Sequence, residues 1–137
     1  MIEGWCLGIR GLEDDSVIQD YDGFTKDEIK QINSIFFEPE IFFELEKLFT
    51  YFDIFIRLKP TSMDFVEEWR WEQECKLKKE KGVGMSKQEV LEFVARFMPI
   101  YHYYNAQLDE GFFKSEAGKY LEIVIDKSRS VVRHRII

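Results

Sequence analysis

A carboxylate near the N-terminus of the sequence is placed where it could hold a metal ion. Glu3 follows Met1-Ile2 and precedes Gly4, a pattern that predicts the end of a β-strand. Open α/β sheets bind ligands beyond the carboxyl ends of their strands, and a carboxylate there can hold magnesium or its water ligands beside a nucleotide. By composition alone, an ordinary loop carboxylate is the better-supported interpretation of Glu3.

Two arginines lie among aromatic residues and could bind phosphate groups. Arg70 lies between Trp69 and Trp71, and Arg96 precedes Phe97 in an otherwise apolar run. A guanidinium fork can hold phosphate oxygens bidentately, which suits phosphoryl transfer because that reaction depends mainly on positioning and charge neutralisation. The alternative is that both arginines pair with nearby glutamates, and the pattern alone favours this alternative.

Three short segments have the composition of β-strands. Residues 53–59 are β-branched and aromatic and stop at Pro60, which cannot donate to a sheet ladder. Residues 121–126 alternate as a strand, and residues 131–137 are predicted to form the last one. Because helices separate the strand-like segments, the chain is predicted to be α/β. Three strands make an unusually small parallel sheet, so we expect completion by other polypeptide or a larger domain of which this is the rear part.

Helix boundaries are marked by capping residues, glycines and prolines. Thr25 with Glu28 and Ser86 with Glu89 have the spacing of capping boxes. Pro39 suits the first turn of a second helix. A third helix is predicted to be capped by Thr61 or Ser62 and to end at Gly82 and Gly84, and the helix after Ser86 is predicted to kink or break at Pro99. The helix after Thr61 is acidic early and basic late, and Glu72 with Lys76 and Glu74 with Lys78 are predicted to pair along it.

The composition argues against several classes of protein. A chain of 137 residues suits one domain, predicted over residues 1–137. Its net charge of −7 would repel nucleic acid, and binding through the short basic tail of Arg129, Arg133 and Arg135 ranks last among the alternatives. Cys6 and Cys75 lack metal-site spacing and fit a reducing compartment. No apolar run is long enough to span a membrane, so we expect no membrane partner and a cytoplasmic location.

Two stretches of the sequence resemble one family of kinases. Glu3-Gly4-Trp5-Cys6-Leu7-Gly8 is similar to the EGWxxG segment of D-glycerate 3-kinases and their fungal relatives, in the uridine kinase and pantothenate kinase group of P-loop kinases. A longer ordered run resembles the same family: Trp69-Arg70, Gln73-Glu74, Gly84-Met85-Ser86, Glu89-Val90, residues 93–101, and Ile125-Asp126-Lys127-Ser128-Arg129. The likeness extends from residue 2 to about residue 133.

This resemblance implies the C-terminal part of a P-loop kinase α/β/α sandwich, helix-rich and with an incomplete, mostly parallel sheet. The implied activity is ATP-dependent phosphorylation of a hydroxyl of a small acid such as D-glycerate, with Mg²⁺. Glu3 would be a catalytic residue near the metal and the acceptor, Arg96 a second catalytic residue, and Arg70 a contact to the nucleotide phosphates. Trp5 and Tyr101 would shape the acceptor pocket, although aromatic residues more often serve packing.

One motif of that family is missing from the sequence. P-loop kinases carry GxxxxGK[ST], whose backbone amides and lysine hold the phosphates. None of the eight glycines starts this spacing, and Gly111-Phe112-Phe113-Lys114-Ser115 offers Lys-Ser without the second glycine. We therefore expect that the nucleotide-binding N-terminal half is absent, with that half or a second copy of the chain as partner. The alternative is a non-catalytic helical interaction module derived from such a kinase.

Overall fold

The computed structural model describes residues 1–113 and 117–137 as an α/β chain rich in helices. In chain order the α-helices are α1 (Lys26–Ile35), α2 (Pro39–Phe49), α3 (Phe65–Lys81), α4 (Lys87–Ala95) and α5 (Met98–Tyr104). Two 3₁₀ helices span Asp15–Val17 and Asn105–Glu110. The strands are β1 (Phe55–Pro60), β2 (Tyr120–Ile125) and β3 (Val131–Ile136).

The three strands form one sheet in the order β1-β2-β3. β1 and β2 are parallel, with Phe55 opposite Tyr120, and the long connection between them carries α3, α4 and α5. β2 and β3 are antiparallel, joined by a turn, with a register shift between Val124 and Ile125. The predicted α/β class is confirmed, and the sheet is mixed because its last strand returns as a hairpin.

An aromatic core packs against one face of this sheet. The buried core residues are Phe49, Phe55, Leu108, Phe112 and Tyr120. The Phe55 ring stacks on Phe112 at 4.5 Å and on Tyr120 at 5.6 Å between ring centroids. Stacked and edge-on aromatic pairs bury large apolar areas, so this cluster joins β1, β2, the end of α2 and the segment after Leu108.

Position 8, the last residue of the Glu3–Gly8 segment, can be occupied only by glycine. Its φ is +84°, and a Cβ there would lie 2.8 Å from the Phe55 ring. A side chain would therefore be strained by the backbone and would collide with the core. The second glycine of the EGWxxG-like segment is required by packing, whatever else the segment does.

A buried charge network crosses the same face of the sheet beside the aromatic core. Arg57 on β1 lies 3.2 Å from the fully buried Glu122 on β2 and 2.6 Å from Asp109. Arg135 on β3 donates to Glu122 at 2.9 Å, and Lys59 bonds Asp109 at 2.5 Å. Because carboxylates and cations alternate, every strand and the second 3₁₀ helix are tied to the network by hydrogen-bonded charges.

The network also sets the ionisation of Asp109. Partial burial opposes the charged form, but hydrogen bonds from Lys59 and Arg57 outweigh it and lower the pKa of Asp109 below its usual range. A carboxyl whose pKa is lower in the folded than in the unfolded chain stabilises the fold above its unfolded pKa. That contribution is lost as pH falls through the lowered pKa.

Most predicted helix boundaries agree with the structure. Both capping boxes form, Pro39 lies in the first turn of α2, and Gly82 ends α3 in the left-handed conformation with φ +73°. The predicted break before Pro99 separates α4 from α5. The predicted cap at Thr61 or Ser62 is wrong, because α3 begins at Phe65 after Asp64, and Ser62 instead hydrogen-bonds the Asp64 side chain and backbone.

The predicted strand end at the N-terminus is also wrong for the described chain. Residues 1–4 lie in no strand, and residues 5–8 form turns. Isolated apolar residues do not make a strand without a neighbouring strand to accept their hydrogen bonds. The Lys114-Ser115 pair lies outside the described residues.

Across the described ranges 1–113 and 117–137, none of the helices combines the length and the hydropathy required to cross a membrane.

The buried network predicts unequal effects of two glutamate substitutions. We expect Glu122→Ala to lower the free energy of unfolding by about 3 kcal/mol, because it leaves buried Arg57 and the more exposed Arg135 without their shared carboxylate. Glu68→Ala, which breaks an exposed pair with Lys127, should cost less than about 1 kcal/mol. Urea denaturation monitored by tryptophan fluorescence measures both, and equal losses would contradict the assigned importance of Glu122.

Candidate functional site

The candidate site is built around α4, where the N-terminal segment packs. The Trp5 ring meets Phe93 and Phe97 edge-on, with centroids 6.0 and 5.5 Å apart. Phe93 and Phe97 lie four residues apart on the helix and its C-terminal turn, so they share a face that the indole covers. Trp5 remains half exposed, and it therefore combines packing with an accessible ring surface.

Glu3 lies two residues before this anchored tryptophan. It is exposed and makes no hydrogen bond or ion pair with any residue in the described ranges. Its carboxylate is therefore accessible to a ligand, while Trp5 restrains the segment that carries it. No group of three or more metal-ligating side chains occurs in the part of the chain that the structure describes. Glu3 could accordingly be one of a few ligands to magnesium, the remainder coming from water or phosphate.

Arg70 reaches the same aromatic group from α3. Its guanidinium lies 5.4 Å from the centre of the Phe93 ring, and its Nη2 lies 3.0 Å from Glu74. The Arg70 Nε is buried and has no hydrogen-bond partner among the described residues. The alternative that nearby glutamates neutralise the arginines is therefore correct for Arg70, although one of its donors stays unused.

Arg96 differs from Arg70 in being unpaired. It lies at the C-terminal end of α4, is exposed, and makes no side-chain hydrogen bond or ion pair within residues 1–113 and 117–137. In the sequence it comes between Phe93 and Phe97, the two residues whose rings contact Trp5. An exposed, unpaired guanidinium can accept an anionic ligand without first breaking a protein ion pair.

Tyr101 lies on α5, and its backbone N–H donates to the carbonyl of Phe97. Burial raises the pKa of Tyr101 to about 12, and the neighbouring Cys6 adds to the shift. The phenol therefore stays protonated across the physiological range.

Glu74 is the residue of this region that sequence reasoning missed. It is 2% exposed, and its Oε1 accepts the backbone N–H of Met85 at 2.8 Å while its Oε2 pairs with Arg70. The predicted pairs of Glu72 with Lys76 and Glu74 with Lys78 are wrong. A glutamate in a strongly polar helix gives no sequence signal of burial, because only packing against the loop before α4 removes it from water.

Another group of contacts attaches α3 to the turn between β2 and β3. Trp69 donates to the Lys127 carbonyl at 2.8 Å, and the Arg129 guanidinium lies 5.2 Å from the Trp69 ring centre. Glu68 pairs with Lys127 at 2.7 Å and Glu72 with Arg129 at 2.6 Å. The two family-like stretches around residues 69 and 127 therefore contact each other, and their residue types serve attachment of the helix.

Comparison with known proteins supports a kinase relationship. The chain is 29% identical over 133 residues to the chloroplastic D-glycerate 3-kinase of Arabidopsis thaliana, a match that covers 96% of this chain and 27% of that protein. It is 34% identical over 92 residues to the uncharacterized kinase mug58 of Schizosaccharomyces pombe, with 66% and 32% coverage. No protein-family model matches the chain.

The fold is shared with a solved kinase. D-glycerate 3-kinase from Cryptococcus neoformans superposes with a TM-score of 0.75 and 23% identity, covering 98% of this chain and 48% of that one. The chain thus spans at most a third of these curated relatives and about half of the solved structure. The predicted resemblance to D-glycerate 3-kinases is confirmed, as is the expectation that it involves only part of them.

Because Glu74 is buried and Glu72 is exposed, we expect their substitution by alanine to destabilise the chain to different extents. We expect Glu74→Ala to lower the free energy of unfolding by about 2–4 kcal/mol, because Met85 loses its acceptor and Arg70 its buried partner. The matched control, Glu72→Ala, removes an exposed carboxylate two residues away and should cost less than about 1 kcal/mol. Thermal unfolding followed by circular dichroism compares the two, and a near-neutral Glu74→Ala would refute the role given to this side chain.

Proposed function

We propose that this chain forms part of an ATP-dependent kinase that phosphorylates a hydroxyl of a small acid, with D-glycerate as the leading candidate. The observation that carries the proposal is the convergence at α4. There Trp5 packs against Phe93 and Phe97, and the Arg70 guanidinium lies over the Phe93 ring. Arg96, at the end of the same helix, is exposed and makes no ion pair within the described residues. D-glycerate as acceptor is supported by the names of the Arabidopsis and Cryptococcus relatives.

Each residue has a role that its surroundings support. Arg96 would neutralise charge on the transferred phosphoryl group or on the acceptor carboxylate, because it has no competing partner in the described chain. Arg70 would contact phosphate oxygens from α3 with its guanidinium, which Glu74 orients and whose charge Glu74 already balances. Trp5 and Tyr101 would form apolar walls that exclude water, which strengthens electrostatic interactions inside the site.

Glu3 is the candidate for the acid–base or metal role. During transfer, the acceptor oxygen forms a bond to the γ-phosphorus as the bond to the ADP oxygen breaks, and the hydroxyl proton must leave. A free carboxylate near the acceptor can take that proton. A single carboxylate also fits the usual magnesium arrangement, in which water and substrate phosphates complete the shell. When bound, the ion would neutralise phosphate charge.

The nucleotide-gripping part of the kinase is proposed to lie in other polypeptide. This sequence lacks a GxxxxGK[ST] loop, the motif whose backbone amides and lysine hold the phosphates in such kinases. We therefore expect the 137-residue chain alone to bind ATP weakly and to show no measurable kinase turnover. Calorimetric titration with ATP and Mg²⁺ measures the first, and a coupled ADP assay the second. Tight, magnesium-dependent binding would contradict this expectation.

Arg96 provides the test of the site itself. In a protein that joins this chain to the nucleotide-binding part, we expect Arg96→Ala to reduce turnover by about 100-fold, as loss of a charge-stabilising contact does. Because Arg96 is exposed and unpaired, the unfolding midpoint should hardly change.

The matched control for Arg96 is Lys87→Ala, which removes one positive charge from the opposite end of the same helix. It should leave turnover within about twofold. Unchanged kinetics for Arg96→Ala, or equal losses for both variants, would remove Arg96 from the site.

A non-catalytic interaction module is the second candidate. It is favoured by the exposed aromatic residues of α2, where Phe43 is 74% and Phe42 48% exposed. Failure of the joined protein to phosphorylate D-glycerate or related small hydroxy acids would favour this candidate.

A further inference from the structure

Helix α2 presents two apolar grooves to solvent. One groove has a volume of about 550 Å³ and is lined by Glu40, Ile41, Glu44, Leu45 and Leu48. The second has a volume of about 510 Å³ and is lined by Pro39, Glu40, Phe43 and Glu44. We call the residues that line either groove the α2 surface. Phe43 is 74% exposed and Ile41 36%, whereas Phe49 of the same helix is buried in the core. Apolar side chains exposed together in this way are typical of a site that binds another molecule.

Glu40 and Glu44 form the ridge between the two grooves. They line both grooves and lie four residues apart, so their side chains are neighbours on one side of the helix. Both are exposed, and neither makes a hydrogen bond or an ion pair with a residue of the described ranges. Like charges at this spacing destabilise a helix. A cation held between the two carboxylates would remove their repulsion.

The chain itself does not supply that cation from α2 or from the neighbouring N-terminal segment. Lys47 is the basic residue of α2, and it makes no ion pair with Glu44 three residues before it. Arg10 reaches the same helix, but its Nε bonds Glu46 at 2.7 Å, and its guanidinium lies over the Phe49 ring. The ridge therefore differs from Glu46, whose charge is already balanced.

We propose that the α2 surface binds a basic amphipathic segment of a partner protein, in which a lysine or an arginine lies between apolar side chains. The cation of the segment lies between Glu40 and Glu44. Its apolar side chains enter the grooves on either side of that ridge. The proposal does not rest on kinase activity, because none of the residues of the α2 surface belongs to the candidate site around α4.

Charge complementarity selects this partner over three others. An acidic segment would bring its carboxylates against Glu40 and Glu44, and the net charge of −7 would also oppose its approach. A wholly apolar segment would remove the two carboxylates from water without supplying an opposite charge, which is costly. A second copy of the chain, related by a twofold axis, would place the same two glutamates against each other.

Two synthetic peptides test the proposal on the 137-residue chain. One is a fluorescein-labelled amphipathic helix of leucine and lysine, and the other has every lysine replaced by glutamate. In fluorescence anisotropy titrations we expect saturable one-to-one binding of the lysine peptide and no binding of the glutamate peptide. Affinity for the lysine peptide should fall as ionic strength rises, because salt screens charges at the surface.

Charge reversal locates the contact on the ridge. Glu40→Lys with Glu44→Lys should weaken binding of the lysine peptide by at least about tenfold and create binding of the glutamate peptide. The matched control, Glu13→Lys with Glu67→Lys, changes the net charge equally at two exposed glutamates outside α2 and should keep the affinity within about twofold.

Two further variants separate charge from apolar contact and guard against misfolding. Glu40→Gln with Glu44→Gln keeps the shape of both side chains and should also weaken the lysine peptide, without creating binding of the glutamate peptide. Phe43→Ala should weaken the lysine peptide by about tenfold, because an apolar contact in the second groove is lost. Far-ultraviolet circular dichroism verifies that each variant folds.

Several results would overturn the proposal. Equal binding of both peptides, or equal losses in the ridge and control variants, would show that apolar contact or net charge alone is responsible. Self-association of the chain that the ridge reversal abolishes would assign the α2 surface to a second copy. Peptide binding that disappears when the chain is joined to the nucleotide-binding part would show that the rest of the polypeptide covers α2. Kinase turnover of the joined protein should be the same with and without the ridge substitutions.

Discussion

The buried ion pair between Arg57 and Glu122 is the constraint on which the sheet depends. Glu122 is fully buried, so its charge is tolerable only while Arg57 and Arg135 remain hydrogen-bonded to it from the strands on either side. This requirement specifies the register of all three strands, because a shift of one residue would move Glu122 to the opposite face. Asp109 extends the same network to the second 3₁₀ helix, which also carries the core residue Leu108.

Helices α3 and α4 are attached to this sheet by contacts of a different kind. Trp69 and two exposed ion pairs attach α3 to the turn after β2, while buried Glu74 attaches it to the loop before α4. Exposed pairs contribute little each and are screened by salt, whereas the buried carboxylate is costly to disturb. The contact of Glu74 with the loop before α4 therefore holds α3 more strongly than the exposed pairs at the turn after β2. Glu74 also pairs with Arg70, whose guanidinium lies over the Phe93 ring that contacts Trp5.

The two faces of the sheet differ in how far they are covered by the rest of the described chain. The covered face holds the structure together through stacked rings and paired charges, whereas Ile56, Leu58 and Ile136 on the other face are exposed. The candidate site is centred on α4, where Trp5 packs against Phe93 and Phe97 and the Arg70 guanidinium lies over the Phe93 ring.

The sequence by itself determined the features that short-range forces control. Capping boxes at Thr25 and Ser86, the glycine stop at Gly82 and the break at Pro99 depend on neighbours within a few residues, and each is present in the structure. The strand predicted over residues 53–59 is present as Phe55–Pro60, so its predicted start is two residues early and Pro60 belongs to it. Glu3, Trp5, Arg70, Arg96 and Tyr101 could likewise be chosen as candidates from residue type and family likeness. Only the tertiary structure decided that Arg70 is paired whereas Arg96 has no partner within residues 1–113 and 117–137, that Glu74 and Glu122 are buried, and that residues 1–4 form no strand. Those outcomes depend on which distant segments exclude water from a side chain, and sequence spacing carries no record of that packing.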